Sequence, residues 1–570
     1  MNSISKRISF IFIILFISGI WAINYFSQLY ISNSIIIPYG ITDFDICVTN
    51  PIAWKHIKFI YIIFFILSNI TCSNAIYSML PKRKHSKKRK ESNILPLDNN
   101  LCVFIGKDLY NKHIILNEKS LCQNILITGT IGSGKTSSAM YPITKQLIKY
   151  SNNNPDKKLA LLILDVKGNY HTQVYEYAKF YNRLEDLIVL ELNKTKFNPL
   201  HKPELKPHIL SNRLRTILTL FSTNTSDSYW LDKVEEFLTE SIKLCRLYNN
   251  GYVTFLELHK LATDYTYYTE KIHKLKQIFI NGKMSNIDIY NLLSSINFFE
   301  KEFFSLDSRT MSIIKSEITR ITNPFINDLE MINTFSPDIS DLSFSGFKEV
   351  LNTGKIVVLN MNISEYTILS KIIAAYLKLD FQTEVMIRLK NNNNNSSLRT
   401  VAFICDEYHE YITSTDAAFF SKSREAHCIN VVSTQSYTSL FNTLKDKNTT
   451  MMVIQNLVNK LWLRTDDSFT IEEIQKQLGK EEKEKISTTI SENSNETSFN
   501  YFTHSLNSKN SNLSESINKY TQTDNLFDTS YFTQNLEAFS CISFLSDGNK
   551  ILKPSKTYLI PYFIQDKTIY

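Results

Sequence analysis

Apolar residues fall into three arrangements along the 570-residue chain. Near the N-terminus they run almost unbroken. Residues 8–23 are apolar apart from Ser9, Ser18 and Gly19, with weakly polar residues extending the stretch to about Tyr30, and a second stretch covers 59–80. With its flanks each reaches the ~20 residues a helix needs to cross a bilayer. Lys6 and Arg7 precede the first stretch and no small-x-small cleavage site follows it. The pattern therefore predicts a two-helix anchor rather than a removed signal peptide. Further on come short apolar runs that predict strands: 124–128 (NILIT), 159–165 (LALLILD), 354–359 (GKIVVL), 401–407 (VAFICDE) and 429–433 (INVVS). From about 201 to 345 the spacing turns helical, with predicted helices over Ser211–Leu220, Leu231–Tyr248, Phe255–Thr263 and Thr310–Thr322. Residues 91–123 look like a β-rich lead-in. Residues 480–525, rich in Ser, Asn, Lys and Glu, predict a long mobile loop or short hairpins. Strands return at Ala538–Phe544 and Thr557–Ile564.

Charge adds orientation. The formal net charge is +8, but Lys82, Arg83, Lys84, Lys87, Lys88, Arg89 and Lys90 supply nearly all of it, so bulk charge gives no argument for nucleic acid. These residues directly follow the second apolar stretch, and the loop between the stretches carries few positive charges. The positive-inside rule then places both termini in the cytoplasm of a multi-pass membrane protein, with residues of roughly 26–56 outside. The eight cysteines are scattered without a CxxC pair, which argues against a zinc site or a disulfide framework.

The chemistry begins at residue 129. The run Gly129, Thr130, Ile131, Gly132, Ser133, Gly134, Lys135, Thr136 follows an apolar strand and leads through Ser137 into a helical pattern, the context a phosphate-binding loop requires. Glycines let several N–H groups converge on one phosphate at a helix N-terminus. Lys135 has the reach for the β- and γ-phosphates of ATP, and Thr136 offers a hydroxyl to Mg²⁺. Pro142 lies inside the following helix, where it predicts a kink.

Hydrolysis also needs acids at a strand end, and two strands offer them. One ends in Asp165, whose plainer role is a strand-end cap. The other ends in Asp406 followed by Glu407, and is favoured because it delivers one carboxylate for the metal side and another to polarise water. After the 429–433 strand, Gln435 is either a γ-phosphate contact or a solvated loop residue. Arg424 is either a surface charge or an arginine supplied to a neighbouring subunit's nucleotide.

Taken in order, GTIGSGKTSSAMYP, LDVKGNYH at 164–171, FNPL at 197–200, DSYWLDKVEEFLTESI at 227–242, GKIVVL, DEYHEY at 406–411 and STQSYTSL at 433–440 resemble the TraG/TraD-like coupling proteins of bacterial conjugation and type IV secretion. The resemblance implies an α/β fold: a RecA-like P-loop NTPase domain with an inserted all-α domain, behind the transmembrane anchor. Residues 1–90 would be anchor and basic run, 91–200 and 346–570 the two parts of the nucleotide-binding domain, and 201–345 the insertion. It implies a homo-hexamer on the membrane in which Glu407 is the catalytic base, Gln435 senses the γ-phosphate and Arg424 acts in trans. The partners would be single-stranded DNA with its relaxase and the secretion channel. A septal-type chromosome translocase and a protein-only secretion receptor are the alternatives. The family's acid at the end of D-x-K-G-E is here Asn169. Tyr229, Trp230, Tyr265, Tyr267 and Tyr268 in the insertion would either stack on bases or pack between helices, packing being favoured.

Overall fold

The computed structural model describes residues 100–221, 228–282, 284–391, 398–493, 499–500, 505–506 and 512–564, with scattered helical positions between Ile52 and Ser68. The chain divides into two compact units, Met1–Leu95 and Pro96–Tyr570. The expected spans at 8–30 and 59–80 lie largely outside the described residues. Among the described residues no helix is long and apolar enough to cross a membrane.

The second unit is built on an eleven-stranded sheet. Its strands are β1 (Cys102–Asp108), β2 (His113–Asn117), β3 (Ile125–Thr128), β4 (Ala160–Leu164), β5 (Leu187–Leu190), β6 (Ile356–Leu359), β7 (Val401–Cys405), β8 (Cys428–Thr434), β9 (Asn459–Trp462), β14 (Ser540–Phe544) and β15 (Ser555–Leu559). The strands β10 to β13 lie outside it and are given below. The spatial order is β2-β1-β15-β14-β9-β3-β8-β7-β4-β6-β5. From β9 to β5 every pairing is parallel, and from β9 to β2 every pairing is antiparallel.

The apolar runs explain the parallel half. Parallel strands joined by crossover helices are covered on both faces, so their side chains are buried in unbroken succession. Every residue of β3, β4, β6, β7 and β8 is buried. Successive residues still point to opposite faces. Leu162, Leu164, Phe403 and Val432 join the core that contains Leu210, Phe237 and Phe381. Leu161, Ile163, Ile404 and Val431 join the core that contains Ile143, Leu147 and Val174.

Between β5 and β6 the chain is helical. Helices span Pro207–Leu218, Ser228–Tyr248, Phe255–Thr263, Tyr265–Ile280, Asn286–Asn297, Ser308–Thr322 and Leu329–Phe335. Their starts are written in the sequence: Thr254 and Glu257 form a capping box, and Asp264, Ser285, Asp307 and Asp328 each accept backbone N–H groups of the turn they precede. The helix Tyr265–Ile280 escapes a periodicity reading because only Tyr268, Ile272 and Leu275 of its sixteen residues are buried. Tyr268 packs against Phe299 and Phe304 at ring distances of 4.9 and 5.1 Å, whereas Tyr229 and Tyr265 face outward.

Residues 480–525 depart from the expectation of a mobile loop or short hairpins. β10 (Lys480–Asn493) and β13 (Asn512–Asn525) pair antiparallel along their whole fourteen-residue lengths, and two two-residue strands, β11 (Phe499–Asn500) and β12 (Ser505–Leu506), pair between them. A two-stranded ribbon needs no core, so polar composition does not forbid it. Cross-strand pairs support it instead, such as Lys485 with Asp524 at 2.8 Å.

Candidate nucleotide site

The loop 129–134 leaves the C-terminal end of β3. Its path is fixed at both ends: the Thr130 N–H donates to the Arg464 carbonyl (2.9 Å), and the Ser133 hydroxyl to the Thr130 carbonyl (2.7 Å). Gly134 has φ of +97°, a conformation costly for any side chain. The helix then starts with a π-helical turn, Lys135–Met140, in which the Tyr141 N–H reaches the Thr136 carbonyl. The regular α-helix Tyr141–Lys149 begins only there, so Pro142 occupies its first turn, where a missing N–H costs little. The expected kink is thus a change of helix type, of the kind that recurs at functional sites.

Lys135 is buried, and its amine donates to the carbonyls of Gly129 (2.6 Å) and Thr130 (3.3 Å). Burial lowers its pKa, while the nearby Glu407 and Asp406 carboxylates act in the opposite direction. The Thr136 hydroxyl donates to Asp406 Oδ2 at 2.7 Å, so the P-loop hydroxyl and the β7 acid share one point.

β7 lies one strand away from β3, with β8 between them. Asp406 follows the last residue of β7 and receives the Glu407 N–H (3.1 Å) and the Ser433 hydroxyl on Oδ1. Glu407 has φ of +48°, a left-handed conformation worth roughly 1 kcal/mol of strain in a non-glycine residue. Its Oε2 is buried without a hydrogen-bond partner among the described residues. Burial and then Asp406 raise the Glu407 pKa, against Lys135, Lys167 and a hydrogen bond from Gln435.

The other candidate acid, Asp165, stands at the end of β4, next to β7. It is buried too, but its Oδ2 accepts the N–H groups of Asn169 and Tyr170, both at 3.2 Å, at the start of the helix Tyr170–Phe180. Burial, then Asp406, raises its pKa. Asp165 thus serves the turn that holds Asn169, whereas Asp406 faces the loop.

The structure does not bring Arg424 to this place. Arg424 follows the helix Asp416–Ser423 and precedes β8, and Gln435 follows β8. Six residue steps of extended chain, ~20 Å, separate the two ends of that strand. Arg424 is exposed at the end of the sheet away from the loop. Gln435 instead lines a cavity of about 530 Å³ with Thr130, Ile131, Ser436 and Arg464.

Sequence reasoning missed Ser433 and the residues beneath Glu407. In the parallel register Cys405 stands beside Val432, so the next positions, Asp406 and Ser433, meet. That signal exists in sequence only once both strands and their pairing are known. Behind the turn, the Tyr408 hydroxyl donates to the buried Asp416 at 2.5 Å.

Residues 272–517 match the family model of the type IV secretion-system coupling protein DNA-binding domain. Over that stretch the chain is similar to the type IV secretion coupling proteins. The matched stretch contains Asp406, Glu407, Arg424 and Gln435, while the P-loop lies before it. No curated protein matches this sequence. Its fold is similar to that of the bacterial conjugative coupling protein TrwB in an unbound form, with a TM-score of 0.51 at 13% identity over 80% of this chain and 89% of that one. TrwB structures with the GTP analogue GDPNP and with ADP and Mg²⁺ each give a TM-score of 0.51 at 12% identity, over 79% of this chain and 88% of theirs. At such identities the likeness establishes the shared α/β fold.

Proposed function

We propose that this protein is a coupling ATPase that works at Gly129–Ser137 and drives a DNA–relaxase substrate toward a type IV secretion channel. The observation that carries the reading is the Thr136–Asp406 contact at 2.7 Å beside the half-satisfied carboxylate of Glu407. A P-loop and two consecutive acids, one for the metal side and one as base, converge there from two separate segments.

Lys135, now turned onto loop carbonyls, would exchange them for the β- and γ-phosphates of ATP. Thr136 and Asp406 present the hydroxyl and carboxylate oxygens that suit Mg²⁺, which when bound neutralises phosphate charge. Glu407 orients and deprotonates the attacking water, and burial gives its carboxyl the raised proton affinity a base needs. Gln435 touches both Glu407 and the cavity beside the loop, which supports its part as the γ-phosphate contact. Arg424, exposed and remote from its own loop, is supplied to the next subunit of a homo-hexameric ring. The N-terminal spans hold that ring on the cell membrane, with both termini and the ATPase domain in the cytoplasm.

The test is ATP hydrolysis by the full-length chain with and without single-stranded DNA. Stimulation that fades steeply as salt rises is expected if phosphates dominate the contact. Hydrolysis that ignores DNA but responds to a secreted protein would replace the DNA reading by the protein-only one. No hydrolysis under either condition would overturn the motor.

A further inference from the structure

The segment 539–563 returns to the P-loop. The Phe539 N–H donates to the Ser133 carbonyl at 3.2 Å, and the Tyr562 N–H to the Ser137 carbonyl at 2.9 Å. The Leu559 N–H joins the two arms by donating to the Phe539 carbonyl at 2.8 Å. Phe539 holds φ of +64°, which a bulky residue adopts only when its surroundings impose it. Its ring occupies the space a side chain on Gly134 would take: a Cβ there would lie 2.5 Å from a ring carbon. Phe563 packs against Phe539 and against Tyr562, with ring centroids 6.0 and 5.5 Å away, and Tyr562 meets Tyr141 edge-on at 5.1 Å. Despite these contacts Phe563 is 59% exposed and Tyr562 38%. An arc of aromatic rings, exposed at Tyr562 and Phe563, thus lies at the start of the P-loop helix.

The loop sets the direction of a bound nucleotide. Its β- and γ-phosphates belong with Lys135, and the N–H groups that follow hold the phosphates nearer the sugar. On one side the loop is bonded to the Arg464 carbonyl, and on another Thr136 meets Asp406. The order of phosphates along the loop carries the sugar and base past Ser137, where the arc stands.

We propose that Phe539, Tyr562 and Phe563 form a nucleobase shelf that stacks on the purine ring without reading its edges. The inference rests on the nucleotide-site reading above. Phe539 and Phe563 carry no polar side-chain atom and Tyr562 carries one hydroxyl, so the shelf offers π-faces rather than a hydrogen-bonding pattern. Every base has a π-face, and adenine and guanine are held alike.

Binding of ATP, GTP and inorganic tripolyphosphate to the full-length protein, each with Mg²⁺, tests this. Phe563→Ala and Tyr562→Ala keep the backbone N–H that pins the arc. Each is expected to weaken ATP and GTP by about tenfold, leaving tripolyphosphate, which has no base, unchanged. Phe563→Trp is expected to keep or tighten both nucleotides. Equal weakening of all three ligands would show that the arc only braces the loop, and unchanged ATP binding would show that the base lies elsewhere. Either result overturns the shelf, as does a loss confined to ATP or to GTP. Failure of the unaltered protein to bind both ATP and tripolyphosphate would instead overturn the P-loop reading itself.

Discussion

Lys378 and Asp416 form an ion pair of 2.6 Å in which neither side chain reaches solvent. Lys378 lies on the long helical stretch Ile363–Asn391, interrupted at Thr367, and Asp416 opens the helix that leads to Arg424. The same carboxylate accepts the Tyr408 hydroxyl, the Thr413 N–H at 2.9 Å and the Gln382 amide at 2.9 Å. Because every lone pair is used, the pair is well compensated, and removing one partner strands a buried charge. Lys378→Met or Asp416→Asn is expected to lower stability by about 3–5 kcal/mol, and the double variant by less than the sum of the two. Urea unfolding of the four proteins checks this.

Tyr408 joins that cluster to the residue before it, Glu407. Tyr408→Phe removes one hydrogen bond and no packing. It is expected to cost about 1 kcal/mol of stability and to lower kcat while leaving KM for ATP near its original value. A rise in KM with kcat unchanged would mean that the turn serves binding rather than hydrolysis.

Glu407→Gln keeps the shape of the side chain and removes the base. Hydrolysis is expected to fall by roughly 10²–10⁴-fold with ATP still bound. Lys135→Ala, by contrast, should lose nucleotide binding itself. Equilibrium binding and single-turnover hydrolysis on both variants separate these outcomes.

Arg424→Ala is expected to bind ATP but not hydrolyse it. Mixed with Glu407→Gln subunits it should recover part of the activity, since some interfaces then combine an intact base with an intact arginine. Titrating one variant into the other gives the measurement. A mixture that stays inactive at every ratio removes the support for a role in trans.

A second buried charge cluster sets a pH dependence. Asp380 contacts Arg213 at 2.8 Å and Lys202 at 3.0 Å, joining the Ile363–Asn391 stretch to the helical insertion. Burial alone would raise its carboxyl, but Lys202 and Arg213 outweigh burial and hold it below the ordinary value of 3.8. A depressed acid stabilises the fold above its unfolded pKa, and that stabilisation is lost as pH falls through the lower folded value. Asp380→Asn should therefore be less stable at neutral pH and show a shallower loss on acidification below 3.8. Urea midpoints measured across that range test the sign.

Much of this architecture can be read from the chain because its signals are local. The loop Gly129–Thr136 is defined by eight consecutive residues, and the acids at 406–407 close an apolar run. Helix starts at Phe255 and Ser308 fall within two residues of where periodicity puts them. What stayed hidden depends on contacts between distant segments. Asp416 gains its meaning from Lys378, thirty-eight residues earlier, and Ser433 from the register of β7 with β8. Phe539 and Tyr562 reach the loop only because β14 and β15 extend the sheet past β9. The ribbon of β10 and β13 hid for a different reason: it is stabilised across its strands, and polar composition carries no trace of that.

Arg424 lies four residues before the first residue of the strand β8 and Gln435 directly follows its last, with every residue of the strand buried. Such a strand behaves as a strut: it cannot shorten, and its two ends face different places. In the proposed ring, one end attends to the subunit's own nucleotide and the other to its neighbour's. A shift of Gln435 on loss of a phosphate would then be felt first at one adjacent site and not at the other. Firing around the ring would acquire a sense of rotation from the length of a single strand.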